Sequence, residues 1–371
     1  MTDGWSTARE PLEEIERPAG IAYDETAPTR RALLQARYRA LRERVGTVVG
    51  SNYDVSDVCN LTCEGCLYFS GLDYVPRGQM RDVARWDAFF ASEAGRGVNF
   101  GYFAGAEPSL VPEVLQTAAR HIPHGVVFTN GIKKLPDALP YRIHISLWGD
   151  MAAAKALRGA DNGRKALRNY AGDPRAVAVY TINRTNIDAI ATVADACAEH
   201  GVPLTFSYFS PTDDYMARLS DASAGGSAER SDYFKLGDAD GIAMRPTDFV
   251  RAADAIAKAR EIHPDTIRYL EGYDRWVTQA GDLYTLDANG VATDCGNRLS
   301  RLFRHYNVDL TENTGKCCAP NIDCGECRAY AQSYATMLGR MRTFSRTDDD
   351  FELWLDVWEM WADLFLPART S

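Results

Sequence analysis

The sequence predicts an α/β fold in which six strand–helix units form an open, partial barrel, followed by a cysteine-rich extension. Between residues 46 and 210, apolar stretches of strand length alternate about six times with helical stretches, and Gly, Pro and Asn mark the joints. This alternation is typical of parallel βα units. Six repeats rather than eight indicate a partial (β/α)6 TIM-like barrel, whose active groups collect at the carboxyl ends of the strands.

The barrel elements follow one another in a regular order. The predicted strands are 46–56, 98–105, 125–131, 141–149, 176–184 and 203–210. The predicted helices between and beside them are 82–95, 110–122, 163–172 and 187–201. The apolar spacing in each helical stretch is that of one buried face.

The rest of the chain divides around this barrel. A helix is predicted at 30–46, another at 246–263 with Thr247 or Asp248 as its N-cap, and an aromatic amphipathic helix at 351–365 that packs across the barrel. The polar stretch 221–232 is expected to be a flexible loop over the mouth of the active site. The expected domains are a lead-in with its helix (1–47), the barrel (48–215), a linker with a helical segment (216–282), the cysteine-rich domain (283–340) and a C-terminal helix (341–371).

Composition restricts the class of protein and its compartment. The net charge is −10 over 371 residues, which argues against a duplex nucleic acid partner. The first thirty residues lack an apolar core flanked by positive charge, and no stretch approaches the roughly 18 apolar residues of a membrane span. We therefore expect a cytoplasmic protein with no membrane partner, whose closely spaced cysteines bind metal or do redox work.

Three of the nine cysteines lie in "CNLTCEGC" at residues 59–66, directly after the first strand. The thiolates of Cys59, Cys63 and Cys66 can bind three irons of a 4Fe-4S cluster and leave the fourth iron open to a small molecule. A cluster that only carries electrons is normally held by four cysteines. Structural zinc, which needs four ligands, and chance clustering are the alternatives.

The CxxxCxxC spacing after the first strand of a partial barrel resembles the radical S-adenosylmethionine (SAM) superfamily. In that family SAM chelates the open iron, and one electron from the reduced cluster cleaves SAM to a 5′-deoxyadenosyl radical. The radical then removes a hydrogen atom from the substrate. The resemblance covers roughly residues 48–210 and implies a SAM-binding 4Fe-4S cluster and SAM as cofactors.

Further segments match that family in order along the chain. "AGAEP" (104–108) resembles its GGEP motif, "TNG" (129–131) and "HISLWG" (144–149) resemble the next two segments, and "KALRGADNGRKALRN" (155–169) and "YTINRTN" (180–186) resemble the last two. The SAM-binding residues that the resemblance implies are Gly105, Ala106, Glu107, Asn130, Ser146, Arg158 and Asn183.

The resemblance also assigns roles to some of these residues. Glu107 would meet the SAM ammonium, because a carboxylate suits that charge. Arg158 would reach the SAM carboxylate and Asn183 the ribose. Each has a simpler alternative, such as a turn at Asn130 or a surface cation at Arg158.

The chain departs from the family at two positions. Gly65 stands where many members carry an aromatic residue near the adenine, so Tyr68, Phe69 or the backbone alone would have to serve. Trp148 replaces the usual acid in its segment and is interpreted as a core residue. Cys197, alone in a helical stretch, is also interpreted as a small buried hydrophobe.

The late cysteines follow a predicted hairpin at 283–297 with an Asn-Gly turn. This arrangement resembles the twitch and SPASM extensions of radical SAM enzymes, which hold auxiliary iron–sulfur clusters. The expected ligands of one auxiliary 4Fe-4S cluster are Cys295, one of Cys317 and Cys318, Cys324 and Cys327. A zinc site with four cysteine ligands remains the alternative.

Taken together, the sequence predicts a radical SAM oxidoreductase, with no catalytic residue identified beyond the cofactor site. The expected reaction is an oxidative modification of a biosynthetic small molecule, with the auxiliary cluster as electron acceptor and a flavodoxin- or ferredoxin-type protein as electron donor. If turnover is redox-neutral instead, a cysteine (Cys197, Cys317 or Cys318) or a tyrosine would return the hydrogen atom.

Other functions are also compatible with the sequence. Modification of a ribosomal peptide or protein side chain is one, although only about 45 residues precede the barrel. An iron–sulfur redox sensor and a zinc-stabilised binding module are two more, from other functional classes. A redox sensor would not need Glu107, Asn130 and Arg158 at the strand ends.

Overall fold

The computed structural model describes residues 28–69, 79–223, 231–235, 241–296, 302–313 and 322–367. Most of the predicted lead-in and loop, together with Cys317 and Cys318, lies outside these residues. The predictions made for them are therefore not compared with the structure.

Seven strands form one sheet in which every neighbouring pair is parallel. The order across the sheet is β6-β5-β4-β3-β2-β1-β7. The strands are β1 (Gly50–Asp54), β2 (Phe100–Ala104), β3 (His124–Thr129), β4 (Arg142–Leu147), β5 (Ala176–Ile182), β6 (Leu204–Tyr208) and β7 (His305–Tyr306). All six predicted strands are confirmed, and β7, only two residues long, carries no pattern that would predict it.

The sheet curves around a cavity, which is the defining property of a partial barrel. Each of the six main strands contributes a side chain to the lining of that cavity. These side chains are Asn52, Tyr102, Phe128, His144, Val179 and Ser207. The predicted fold class, a partial parallel barrel, is confirmed.

Helices flank the sheet and continue after it. They are α1 (Arg30–Val45), α2 (Val83–Gly95), α3 (Pro112–Ala118), α4 (Met151–Arg158), α5 (Gly163–Asn169), α6 (Ile190–Glu199), α7 (Asp213–Ser223), α8 (Pro246–Ile262), α9 (Glu271–Val277), α10 (Tyr330–Gly339), α11 (Met341–Phe344) and α12 (Asp348–Phe365). Short 3₁₀ helices cover Pro108–Leu110 and Ile187–Ala189. None of the helices within the described residues is long and apolar enough to cross a membrane.

Two local predictions need correction. Helix α7 extends to Ser223, so the stretch predicted as a loop from residue 221 begins inside a helix. The N-cap of α8 is Arg245, and Asp248 lies in the first turn, where its carboxylate accepts a hydrogen bond from the Arg245 amide at 3.0 Å. The observed N-cap lies two residues before Thr247 and three before Asp248, because proline is favoured at the first helical position.

The chain after the barrel covers both edges of the sheet. On one side β7 pairs with β1, and on the other Leu204 of β6 forms a parallel bridge with Ile267. The predicted hairpin near residue 290 is reduced to one antiparallel bridge, between Leu286 and Ala292. Gly290, with φ +71°, makes the turn.

Helix α12 links the first helix to the base of the barrel. Its acidic residues pair with arginines of α1, for example Arg37 with Asp356 at 2.7 Å. Its apolar face ends at Phe365, which is fully buried and stacks on Tyr330 with ring centroids 5.2 Å apart. The predicted packing of this helix across the barrel is confirmed.

We expect Phe365→Ala to lower the free energy of unfolding by about 3–5 kcal/mol, because a large buried ring is lost at the base of the barrel. Val250→Ala, at a position that is 64% exposed on α8, serves as the control. It should change stability by less than about 0.5 kcal/mol. Chemical denaturation measures both variants, and equal unfolding midpoints would contradict the packing described for α12.

Candidate active site

A cavity of about 340 Å³ lies at the carboxyl ends of the strands. The three cysteines of the 59–66 loop line it, as do six of the seven predicted SAM-binding residues. The shared lining residues are Cys59, Cys63, Cys66, Gly105, Ala106, Glu107, Asn130, Ser146 and Arg158. Segments that are distant in sequence thus meet at one edge of the sheet.

The cysteine loop is fixed by the end of helix α4. The amide of Thr62 donates to the Arg158 carbonyl at 3.2 Å, and the amide of Glu64 donates to the Leu157 carbonyl at 2.7 Å. Gly159 ends the helix with φ +80°, and a Cβ there would lie 2.6 Å from Thr62 Oγ1. A glycine at this position is therefore required both by the left-handed backbone and by the close approach of the loop.

Hydrogen-bond donors surround the thiols. Arg158 Nε lies 3.3 Å from Cys63 Sγ, and the amide of Leu61 lies 3.4 Å from Cys59 Sγ. Burial raises the pKa of the Cys59 thiol, and it raises the pKa of Cys66 to about 12. Buried thiols of this kind ionise readily only when a cation or metal compensates their charge.

Arg158 is held in place by neutral partners as well as by Cys63. Its Nη1 donates to the Ser146 carbonyl at 2.5 Å, and its guanidinium lies 5.6 Å from the centre of the Trp148 ring. The residue is only 5% exposed, so the surface-cation interpretation is wrong. Trp148 is 9% exposed and packs in a small apolar cluster, in agreement with its predicted role as a core residue.

Glu107 is engaged by the chain itself. Its carboxylate accepts hydrogen bonds from the Ser109 amide at 3.0 Å, the Thr129 hydroxyl at 2.5 Å and the Asn130 amide at 2.8 Å. This carboxylate therefore ties the end of β2 to the end of β3. The expected contact with an ammonium group has to compete with these three bonds.

Gly105 and Tyr68 shape the turn before Glu107. Gly105 has φ +120°, and a Cβ at this position would lie 2.8 Å from the Ser56 carbonyl oxygen. The Tyr68 hydroxyl accepts from the Gly105 amide at 2.9 Å and donates to Asp54 at 2.8 Å. Tyr68 thus connects the cysteine loop, β1 and the Gly105 turn.

Sequence reasoning missed Asn162, which connects three of the segments. Its side-chain amide donates to the Asn130 carbonyl at 2.8 Å and to the Ser146 carbonyl at 3.1 Å. The residue is fully buried. The signal that could have found it is an asparagine before a glycine between two helical stretches, where a buried amide often joins neighbouring loops.

The ring of Phe209 lies against Gly65, the position where many family members carry an aromatic residue. It has φ +60°, and a Cβ there would lie 2.8 Å from Cζ of Phe209, which follows β6 and lines the cavity. Tyr68 also lines the cavity, whereas Phe69 packs on Tyr233 with ring centroids 5.1 Å apart. Phe209 and Tyr68 therefore line the cavity near this loop, as does Trp148, which packs on Phe209.

Asn183 is not among the residues that line the cavity. Its Oδ1 accepts from the Thr185 amide at 3.0 Å and from the Thr185 hydroxyl at 2.7 Å, which makes a local turn after β5. Thr181, two residues earlier on the strand, lines the cavity instead. A ribose contact from Asn183 would need a movement of this turn.

Two of the late cysteines, Cys295 and Cys327, lie near Tyr284. Cys295, Cys324 and Cys327 are buried, and the Tyr284 hydroxyl donates to Cys327 Sγ at 3.9 Å. Burial, followed by the charges of Cys327 and Cys295, raises the pKa of Tyr284. Cys197 is fully buried in α6, as predicted, and burial raises its pKa to about 12.

The cysteine sites differ from what a single metal ion needs. Within the described residues, no group of three or more His, Cys, Asp or Glu side chains is arranged to hold a single metal ion. A 4Fe-4S cluster makes a different demand, because each thiolate binds a different iron and the thiols need not converge on one point. Three free thiols on one cavity wall, with donors beside their sulfurs, fit such a cluster better than mononuclear zinc.

Comparison with known proteins finds similar solved structures but no similar sequence family. No protein-family model and no curated protein matches the sequence. Solved structures similar to this chain include native anSMEcpe with bound AdoMet, at 14% identity and a TM-score of 0.49 over 77% of this chain and 80% of that one. Another is Streptococcus suis SuiB bound to precursor peptide SuiA, at 13% identity and a TM-score of 0.48 over 83% and 68%. Each TM-score is below 0.5, so the function has to be inferred from the residues of this chain.

His144 lies deeper in the cavity wall and is held neutral. Its Nε2 is 2.9 Å from the Leu364 carbonyl, which can only accept, so Nε2 carries the hydrogen. Burial lowers the pKa of His144 to about 3. Because the folded state holds this base neutral, the unfolded state binds more protons between pH 6.5 and the lowered pKa.

We therefore expect stability to decrease as the pH falls below 6.5, because protonation of His144 in the folded state is opposed by burial. His144→Gln keeps a donor for Leu364 and removes the titration. From pH 6.5 to 5, the parent should lose about 2 kcal/mol more of its free energy of unfolding than this variant does. Urea denaturation at both pH values measures the difference, and identical losses would show that His144 is not held neutral.

Proposed function

We propose that the protein is a radical SAM enzyme. The observation that supports this most directly is the position of Cys59, Cys63 and Cys66. All three face one cavity at the carboxyl ends of a partial parallel barrel, next to the strained turn at Gly105. Three thiolates can hold a 4Fe-4S cluster with one iron open to SAM, and together these cofactors supply a 5′-deoxyadenosyl radical after one-electron reduction.

The residues of the chain would bind and orient these cofactors. The thiols would be the cluster ligands, and the donors on Cys59 and Cys63 would stabilise their negative charge. The backbone at Gly105 and Ala106, held by Tyr68 and by Glu107, would offer polar groups to SAM. Phe209 and Tyr68 would supply the apolar surface against the adenine, where Gly65 leaves no side chain.

The cavity favours an uncharged group of the substrate. Apart from the three cysteines, Glu107 and Arg158 are the acidic and basic side chains among the described lining residues, with His144 held neutral, and both are bonded beside the cysteine loop. The other described lining residues include neutral polar groups such as Tyr102, Thr181 and Gln332. Apart from Arg158, a phosphate or carboxylate would find no cation among the described lining residues, and a buried charge needs a paired partner.

We infer that the substrate is a biosynthetic small molecule and that the enzyme oxidises its uncharged group. Cys295, Cys324 and Cys327, together with Cys317 or Cys318, would hold an auxiliary 4Fe-4S cluster that accepts the electron left by hydrogen abstraction. A flavodoxin- or ferredoxin-type protein would reduce the first cluster. A peptide side chain could present the same uncharged group, and it is therefore the second substrate class to be assayed.

Anaerobic reconstitution with iron and sulfide tests the proposal. The parent is expected to hold about eight irons per chain and to release 5′-deoxyadenosine from SAM after reduction with dithionite. Cys63→Ala should lose about half of the iron and all of the 5′-deoxyadenosine, whereas the buried-core control Cys197→Ala should keep both.

A further variant separates the two cysteine sites. Cys324→Ala should also lose about half of the iron but still cleave SAM, because the first cluster remains. If the parent instead holds four irons and one zinc, the late cysteines bind zinc rather than an auxiliary cluster. A loaded parent that forms no 5′-deoxyadenosine would contradict the proposed function.

A further inference from the structure

A short segment, Ser231–Lys235, lies against the cysteine loop. The Gly65 amide donates to the Tyr233 carbonyl at 2.8 Å, and the Tyr233 ring packs on Phe69. Phe234 is 1% exposed and packs on Tyr215. This segment therefore forms part of the wall behind Cys63 and Cys66.

Two opposite charges meet within this wall. Glu64, between Cys63 and Gly65, is fully buried, and its carboxylate accepts from the Lys235 amide at 2.6 Å and from the Tyr215 hydroxyl at 3.2 Å. The Lys235 ammonium donates to the carbonyl of Thr62, the residue before Cys63. The Lys235 ammonium is thus bonded to the residue before Cys63, and the Glu64 carboxylate belongs to the residue after it.

The Lys235 ammonium is bonded to the residue before Cys63, and its charge interacts with that of the Cys63 thiol. Burial lowers the pKa of Lys235, and the charges of Cys63 and then Glu64 oppose that effect. A charge in a partly buried position acts on its neighbours far more strongly than one in water. Because reduction adds an electron, a nearby positive charge stabilises a reduced iron–sulfur site and a nearby negative charge destabilises it.

We propose that Lys235 and Glu64 are positioning residues that set the reduction potential of the cluster held by Cys59, Cys63 and Cys66. This inference rests on the proposed function, because it requires that cluster. Lys235 raises the potential and Glu64 lowers it, so that the pair balances the site between electron uptake and electron transfer to SAM. Neither residue needs to touch SAM or the substrate.

The test is a potentiometric titration with dithionite, followed by electron paramagnetic resonance, on the anaerobically reconstituted full chain. The signal of the first cluster is identified as the one that Cys63→Ala abolishes. Lys235→Met should shift its midpoint to a more negative potential, and Glu64→Gln, which keeps an oxygen acceptor for the Lys235 amide, should shift it to a more positive one. Lys235→Arg, which keeps the charge, should stay near the parent.

Midpoint shifts of opposite sign in Lys235→Met and Glu64→Gln indicate a charge effect. A loosened cysteine loop would shift the midpoint potential of both variants in the same direction. Shifts of equal sign, or no shift in either variant, would overturn the inference while leaving the proposed function intact. If Lys235→Met takes up no iron, the midpoint potential of Glu64→Gln relative to the parent tests the inference by itself. A parent without the Cys63-dependent signal would overturn the proposed function, and this inference with it.

Discussion

The structure of the site depends on the docking of the cysteine loop onto the end of helix α4. Two amide-to-carbonyl hydrogen bonds, from Thr62 to Arg158 and from Glu64 to Leu157, fix the backbone on both sides of Cys63. They are possible only because Gly159 lets the loop approach the helix end. With the loop held there, three thiols that are close in sequence all line the same cavity.

The same constraint connects the strand ends to one another. Arg158 ends α4 and bonds both Cys63 and the Ser146 carbonyl, and Asn162 continues the connection to Asn130. Glu107 then joins Asn130 to the turn after β2. The site is therefore a continuous network of buried hydrogen bonds, in which a change at one strand end is transmitted to its neighbours.

The sequence predicted the parts of this arrangement that depend on local patterns. The alternation of strands and helices predicted the partial barrel, and the CxxxCxxC spacing predicted which thiols would meet. It did not predict the role of Glu107 or the position of Asn183, because long-range hydrogen bonds decide which strand-end groups face the cavity. Asn162 and Lys235 were missed for the same reason: each acts on a segment that is distant in sequence.

In the proposed function, the iron that Cys59, Cys63 and Cys66 leave without a protein ligand binds SAM. The most direct measurement is the electron paramagnetic resonance spectrum of the reduced, fully loaded protein before and after SAM is added. A change in the spectrum on addition of SAM, absent in Cys63→Ala and present in Cys197→Ala, is the expected result. An unchanged spectrum in the loaded parent would show that SAM does not bind this iron.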